Sequence, residues 1–196
     1  MTRDDAIDAY LNFFATEGFG PATIDAVARA SGAAPSGLVE AIGDRWAALD
    51  GFMRRLDRAG LAATDAVGSV RDRLFDMTMA RFDAARPHRA ALAELSVEAR
   101  RRPALGLALL STLQRTAALL LSASGVNTIG FSGLARVQGF AAILGDVGRV
   151  WLADEDTDQG GTMRALDRRL DQVERLVTRL GGATEEFGRD STIGGS

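Results

Sequence analysis

The stretch Ala22-Thr-Ile-Asp-Ala-Val-Ala-Arg-Ala-Ser-Gly32, continued by Ala33-Ala-Pro-Ser-Gly-Leu-Val-Glu-Ala-Ile-Gly43, decides how the chain folds at its N-terminal end. Thr23 stands where a helix N-cap belongs, Ile24, Val27 and Ala28 fall on one side of a short helix, and Ser31-Gly32 ends it. Pro35 then occupies the first turn of a second short helix, which carries Leu38, Val39 and Ile42 and stops at Gly43. Upstream, Thr2 can cap a helix from Arg3 to Glu17. Asp4 and Asp5 suit the positive end of its dipole, Ile7, Tyr10, Leu11 and Phe14 form its buried stripe, and Gly18 stops it. Two short helices joined by a glycine turn and backed by a third make a plausible helix-turn-helix, although spacing alone describes other small helical hairpins equally well.

Helical periodicity recurs through the rest of the chain and period-two alternation is scarce. The fold class expected is all-α, with about nine helices. A fourth helix begins near Asp44 with Trp46, Leu49, Phe52, Met53 and Leu56. A fifth opens with a capping box of Ser69 and Asp72 and carries Leu74, Met77 and Phe82. Pro87 and Pro103 start the sixth and seventh. Leucines cover most of the seventh, which predicts a helix buried on several sides rather than a membrane span, because Gln114 and Arg115 interrupt it. Ser132 can cap the eighth, ending near Ala153, and Thr162 the ninth, ending at Gly181-Gly182. The expected domains are 1–50, a helix-turn-helix head, 51–181, a helical ligand-binding and dimerisation body, and 182–196, a glycine-rich disordered tail.

Composition narrows the chemistry. The chain has 196 residues, 46% hydrophobic and 25% charged, no Cys and a single His. That excludes thiol nucleophiles, disulfides and Cys or His metal clusters, and it points away from an enzyme. No secretory signal is legible at the start, so a cytoplasmic protein is expected.

The residues Ala6-Ile-Asp-Ala-Tyr-Leu-Asn-Phe-Phe-Ala-Thr-Glu-Gly-Phe19, the stretch from Ala22 to Gly32, and then Gly37-Leu38, Gly43-Asp-Arg45 and Leu49 resemble the N-terminal domain of TetR-family transcriptional regulators. The resemblance implies a dimer that binds double-stranded DNA through its first three helices and holds a ligand in its larger C-terminal part. It places Thr23, Ser36, Gly37 and Arg45 at DNA-contact positions, Arg45 where the family commonly has a phosphate-binding Lys. Where the family's recognition helix usually offers a basic or small polar residue, a Thr, a Tyr and a His, this chain has Pro35, Ser36, Gly37, Val39 and Ala41, with Glu40 at a frequently basic position. Further on, Arg71-Asp-Arg-Leu-Phe75, Arg81, Pro87-His-Arg89, Trp151-Leu-Ala-Asp154 and Met163-Arg-Ala-Leu-Asp-Arg-Arg-Leu-Asp-Gln-Val173 resemble a C-terminal domain shared with the TetR-like accessory protein of ubiquinone biosynthesis. That family is associated with lipids and a partner enzyme instead of DNA. The alternative function it implies is a lipid- or quinone-binding accessory protein.

All 23 basic residues are Arg, against 26 acids, a net charge of −3. Residues 1–50 hold three Arg against eight acids, a net −5, and residues 51–102 eleven Arg against seven acids, a net +4. The acidity therefore falls on the part expected to approach phosphates.

In the body, Phe75, Met79, Phe82, Leu109, Leu113, Phe140 and Leu144 are expected as walls for a small apolar or amphipathic ligand, with Arg115 or Gln114 orienting a polar head. Each is equally intelligible as plain core. Leu166, Leu170, Val173, Val177 and Leu180 form the seam of a lengthwise-packing helix. Ala141, Gly145 and Gly148 would let a neighbouring backbone approach, and together they suggest a four-helix homodimer interface, with packing inside one subunit as the alternative. The acidic run Asp154, Glu155, Asp156, Asp158 fails the calcium-loop pattern at Gln159 and Ala165, and reads as a solvated turn. His88, without a Ser or Asp at any catalytic spacing, reads as a surface or capping residue. Neither a metal nor another cofactor is expected.

Overall fold

The computed structural model describes residues 1–64, 68–156 and 158–190, with the backbone alone for 176–190. Among the described residues there are nine α-helices and no strand: α1 (Arg3–Glu17), α2 (Ile24–Ser31), α3 (Pro35–Ala41), α4 (Arg45–Ala62), α5 (Val70–Ala85), α6 (Arg89–Ala99), α7 (Pro103–Ala123), α8 (Gly130–Ala153) and α9 (Gly160–Asp190), with a 3-10 turn at Arg86–His88 before α6.

Most helix starts follow from single side chains. Thr2 and Ser69 form reciprocal capping boxes with Asp5 and Asp72, Thr23 accepts from the Ala26 N–H at 3.2 Å, and Asp44 accepts from the N–H groups of Trp46 and Ala47. Each satisfies donors that a helix start leaves without partners. Gly32, at φ +71°, ends α2 in the left-handed conformation and makes the turn into α3.

Three expected boundaries move. The eighth helix starts at Gly130 after Ile129, with no side-chain cap, so Ser132 lies inside it. The ninth starts at Gly160, and Thr162 is a buried donor instead of a cap: its N–H and hydroxyl both reach Asp154 Oδ2, at 2.7 and 2.8 Å. The same helix continues past Gly181-Gly182 to Asp190, because the pair falls at interior positions where glycine lowers helix stability without forcing an end; residues 191–196 of the expected tail lie outside the described residues.

The hydrophobic core divides in two. The first part gathers Ile7, Tyr10 and Phe14 of α1, Phe19, Val27, Leu38 and Phe52, then continues without a break into Leu95 of α6, Leu105 of α7 and Trp151 of α8. Head and body thus share one core through α1, α4 and α6, and packing marks no boundary at residue 50. The second part joins Leu74 and Met77 of α5, Leu120 of α7, Phe140, Leu144 and Val147 of α8, and Leu166 and Leu170 of α9. Gly60 lets α4 and α5 pass closely, since a Cβ there would stand 2.8 Å from the Met77 carbonyl oxygen.

Helix α7 is less enclosed than its leucines predict. Leu105, Thr116, Ala117, Leu120 and Leu121 are buried, but Leu107 is 67% and Leu110 50% exposed. Its packing against α4, α5, α6 and α8 covers one side and leaves the other without a partner among the described residues.

Candidate functional site

The head presents α3 at the surface. Ser36 is exposed and Gly37 half-buried, with Val39 and Glu40 exposed beyond them. Thr23 is also exposed, its hydroxyl oxygen occupied as the α2 cap. Arg45, in the first turn of α4, turns back on its own chain. Its Nη1 donates to the carbonyl oxygens of Phe19, at 3.3 Å, and Gly20, and its guanidinium lies 5.1 Å from the centre of the Phe19 ring. From the other side Glu98 of α6 accepts the Phe19 and Gly20 N–H groups, at 2.5 and 3.2 Å. The turn between α1 and α2 is thereby held by one charged group at its carbonyls and another at its amides.

The acidity of the head is not spread over its outer face. Asp8 accepts from Arg55 Nη2 at 2.8 Å, and Asp50 from Arg54 and Arg115, at 2.7 Å each. Burial pushes the Asp50 carboxyl up, but the hydrogen bonds from the two arginines outweigh it and hold the group below its usual range. Asp5 and Asp44 serve as caps. Asp4 lies at the edge of ion-pair range, 4.0 Å from Arg55 Nη1, and Glu17, Asp25 and Glu40 remain as solvated carboxylates. Three arginines of the body (Arg54, Arg55 and Arg115) therefore answer head acids, which is how the two opposite charge excesses are reconciled.

His88 is not a surface group. It sits where α1, α4 and the 3-10 turn meet, with its ring edge-on to Phe52 at 5.3 Å and its Nε2 3.0 Å from Arg55 Nη2 and 3.5 Å from Asp8. Burial lowers its pKa, with Asp8 opposing and Arg55 reinforcing the shift. It has packing and hydrogen-bonding partners but no nucleophile beside it.

In the body a cavity of about 220 Å³ opens between α4, α5, α6, α7 and α8. Of the expected walls it contains Phe82, Leu109, Leu113 and Leu144. Phe75 and Met79 pack on the second core, where Phe140 is buried, and Arg115 is 44% exposed and bonded to Asp50. The remaining walls include Met53 and Leu56 of α4, Leu92, Leu95 and Ser96 of α6, and Trp151 and Leu152 of α8. Gly145 and Gly148, expected at a dimer face, line it as well. Trp151 is fixed on three sides: its indole N–H donates to Gln159 Oε1 at 2.8 Å, Phe82 stacks on it at 5.4 Å, and Arg89 lies over it.

The polar wall was legible only indirectly. Arg81, on α5, donates through Nη1 to Asp57 of α4, and the Thr116 hydroxyl donates to the same Asp57 oxygen at 2.9 Å. The two charged side chains are 11% and 8% exposed. Burial drives the Arg81 pKa down, and Asp57 pulls it back. The signal in the sequence is positional: Arg81 follows Leu74 and Met77 at seven and four residues, so a charged residue stands on the buried stripe of α5.

The expected dimer seam is used inside the subunit. Ala141, Leu166 and Leu170 are 4%, 0% and 5% exposed, within the second core. Val173 is 43% exposed, and the side chain of Val177 lies outside the described residues, as does that of Leu180. The acidic turn is also less solvated than expected at Asp154, whose carboxyl is held below its usual range by the Thr162 hydroxyl and N–H.

No family model matches the chain, and no curated protein matches it. Solved structures do. The TetR transcriptional regulator from Nitrosomonas europaea ATCC 19718 superposes with a TM-score of 0.69 at 16% identity, over 87% of this chain and 96% of that one. A Rhodococcus sp. protein assigned to the TetR family superposes with a TM-score of 0.61 at 22% identity, over 87% and 97% of the two chains. The fold is that of TetR regulators. On this TetR-like frame, α2 and α3 with the turn between them have a helix-turn-helix arrangement, and α4–α8 line the cavity. Nothing in these likenesses supports the further resemblance to the ubiquinone-biosynthesis accessory protein.

Proposed function

We propose that this chain is a dimeric, ligand-responsive transcriptional regulator that binds operator DNA through α2 and α3. The observation that carries the reading is the pairing, on one TetR-like frame, of an outward-facing helix-turn-helix with an apolar cavity in the helices behind it. Glu98 ties the two together, since α6 both lines the cavity and holds the turn before α2. The pairing of Asp8 and Asp50 with arginines supports it too, since it lowers the net negative charge that the head presents to phosphates. Thr23, Ser36, Gly37 and Arg29 are the groups offered to DNA, and Arg45 supports them by fixing the turn. Two copies meet across the outward faces of α8 and α9, where Gly139, Ala142 and Val173 are exposed, and set the two α3 helices about 34 to 36 Å apart for successive turns of the groove.

The test is fluorescence anisotropy of the full chain against DNA from upstream of its own gene, at several salt concentrations. A regulator gives sequence-dependent binding at roughly nanomolar Kd. Weak binding that ignores sequence at every salt concentration would sink the reading. A second reading, a TetR-fold carrier of a lipid or quinone-like molecule that has lost DNA binding, is favoured by one observation: α3 offers Val39 and Glu40 to the exterior, and neither donates to bases or phosphates. Native mass spectrometry of the purified protein for a co-purified lipid tests it.

A further inference from the structure

We propose that the body cavity selects a small uncharged molecule with an apolar body and a carbonyl-type acceptor, the acceptor being received by the N–H groups that Arg81 turns to the cavity. This deepens the proposed function by naming the class of ligand, and rests on it only in treating the cavity as a ligand site.

The apolar body follows from the walls, which are mostly apolar side chains such as Leu56, Leu92, Leu109 and Trp151. The acceptor follows from the donors. Arg81 carries five N–H donors, and among the described residues only Nη1 has an acceptor, Asp57. Ser96 and Thr112 also line the cavity and make no side-chain hydrogen bond among the described residues. Thr112 stands one helical turn from Thr116, which donates to Asp57, so it lies on the same side of α7 as the ion pair. Among the described residues no Asp or Glu lines the cavity, so an ammonium group finds no carboxylate counterion there.

Charge decides between a carboxylate and a neutral acceptor. Asp57 already compensates Arg81, and the pair as a whole is neutral. A carboxylate entering beside it would leave one negative charge without a counterion in an apolar surrounding, and the desolvation of that charge exceeds what a shared arginine returns. A ketone or ester oxygen takes the same N–H groups without that penalty, in a charge-assisted hydrogen bond. Arg149, the other arginine at the cavity, is 76% exposed and bonded to Asp146 at 2.9 Å, so it marks the rim and not the interior. The size is bounded as well: about 220 Å³ lies below the roughly 300–1,000 Å³ of pockets that take drug-sized ligands, so the ligand is a small one.

The experiment uses the emission of Trp151 in the full chain carrying Trp46→Phe, which leaves Trp151 as the sole tryptophan. The probes, matched in size, are methyl hexyl ketone, heptanoate, octylammonium and propylbenzene. The ketone is expected to bind saturably, with a Kd roughly tenfold below those of heptanoate and octylammonium. In the double variant Asp57→Leu with Arg81→Met, which replaces the ion pair by apolar side chains, ketone affinity should fall roughly tenfold while propylbenzene affinity stays unchanged. If thermal melting shows that variant unfolded, Arg81→Lys takes its place, because the ammonium keeps Asp57 paired but lacks the fork that reaches the cavity; the same weakening for the ketone alone is expected. Heptanoate binding as tightly as the ketone, or ketone affinity untouched by loss of the guanidinium, overturns the proposal, and so does silence of Trp151 towards all four probes. Since no DNA is present, a chain that binds the ketone and ignores DNA refutes the regulator and leaves the cavity proposal standing.

Discussion

Arg45 in the head and Arg81 in the body are both partly withdrawn from solvent, and they use their guanidinium groups in opposite ways. Arg45 closes on its own backbone, with two carbonyl oxygens and the Phe19 ring as partners, so its main effect is to shape the turn that presents α2. Arg81 has one carboxylate as its partner and lines a cavity. The residue that the family resemblance marks for contact is thus built into the fold, while the proposed ligand contact falls on a residue that no motif marks. An arginine's role is set by which acceptors the surrounding backbone and carboxylates leave it.

The largest effect expected from this comparison is in the body. Arg81→Ala leaves the Asp57 carboxyl without its counterion at a site only 8% exposed, which should cost about 3–5 kcal/mol of unfolding free energy. Urea denaturation reads it directly. A loss below about 1 kcal/mol would mean that water reaches Asp57 and that the pair is not the dry anchor described above.

Arg45→Ala should cost less, about 1.5–3 kcal/mol, the worth of hydrogen bonds from a charged donor to backbone acceptors. Its effect on DNA binding should follow from loosening the turn. Glu98→Gln, which weakens the same turn from the opposite side, should then lower DNA affinity in the same direction. If Arg45→Ala abolished DNA binding with no change in stability while Glu98→Gln did nothing, Arg45 would be a phosphate contact and the contrast with Arg81 would break.

How far the sequence disclosed these roles depends on the range of the interactions involved. The caps Thr2, Thr23 and Ser69 are local, each engaging N–H groups within three residues, and all three act as their positions predict; Asp44, at the expected start of the fourth helix, caps it as well. The head stripe of Ile7, Tyr10, Leu11 and Phe14 is equally local in origin and is buried as expected. The cavity is not local: its walls come from five helices, and hydrophobicity alone does not separate Phe82, which lines it, from Phe75, which packs on the core beside it. The seam of α9 shows the same limit, since Leu166 and Leu170 pack lengthwise as their spacing predicts, but against this subunit's own helices. Gln159 was visible only as a failed calcium-loop glycine; it adopts φ +53° and holds Trp151 and Asp83. Long-range partners of this kind leave at most a polar residue on an apolar stripe as their trace.

A third change acts on the outer surface of the head. Glu40 is exposed on α3 with no ion pair among the described residues. Glu40→Arg should strengthen DNA binding without altering stability, and steepen the dependence of log K on log salt by about one, as an added phosphate contact does. An unchanged slope would place α3 away from the phosphates and favour the carrier reading over the regulator.

The smallest effect belongs to the joint between the two regions. Burial lowers the His88 pKa below its ordinary value of 6.5 in the folded chain, so the folded state prefers the neutral ring and binds fewer protons than the unfolded chain just below that value. The contribution is complete above about pH 6.5, declines as pH falls below it, and levels off once the folded ring is protonated too. Asp8 faces the same ring and Arg55 approaches its Nε2, so the decline reflects an acceptor lost to Arg55 as well as the cost of burying charge. The carboxylates held below their usual range by hydroxyls, N–H groups and arginines, Asp5, Asp50, Asp72, Asp146 and Asp154, lose their contributions as pH falls through the ordinary carboxylate value of 3.8, well below the pH at which the His88 decline begins. Unfolding midpoints in urea, taken from neutral pH down to about 5, should therefore fall for the natural chain and stay flat for His88→Gln, which keeps an acceptor for Arg55 but does not titrate. A slope that survives in His88→Gln would transfer the pH sensitivity from the head–body joint to another group, and the joint would then be held by Arg55 and Asp8 alone.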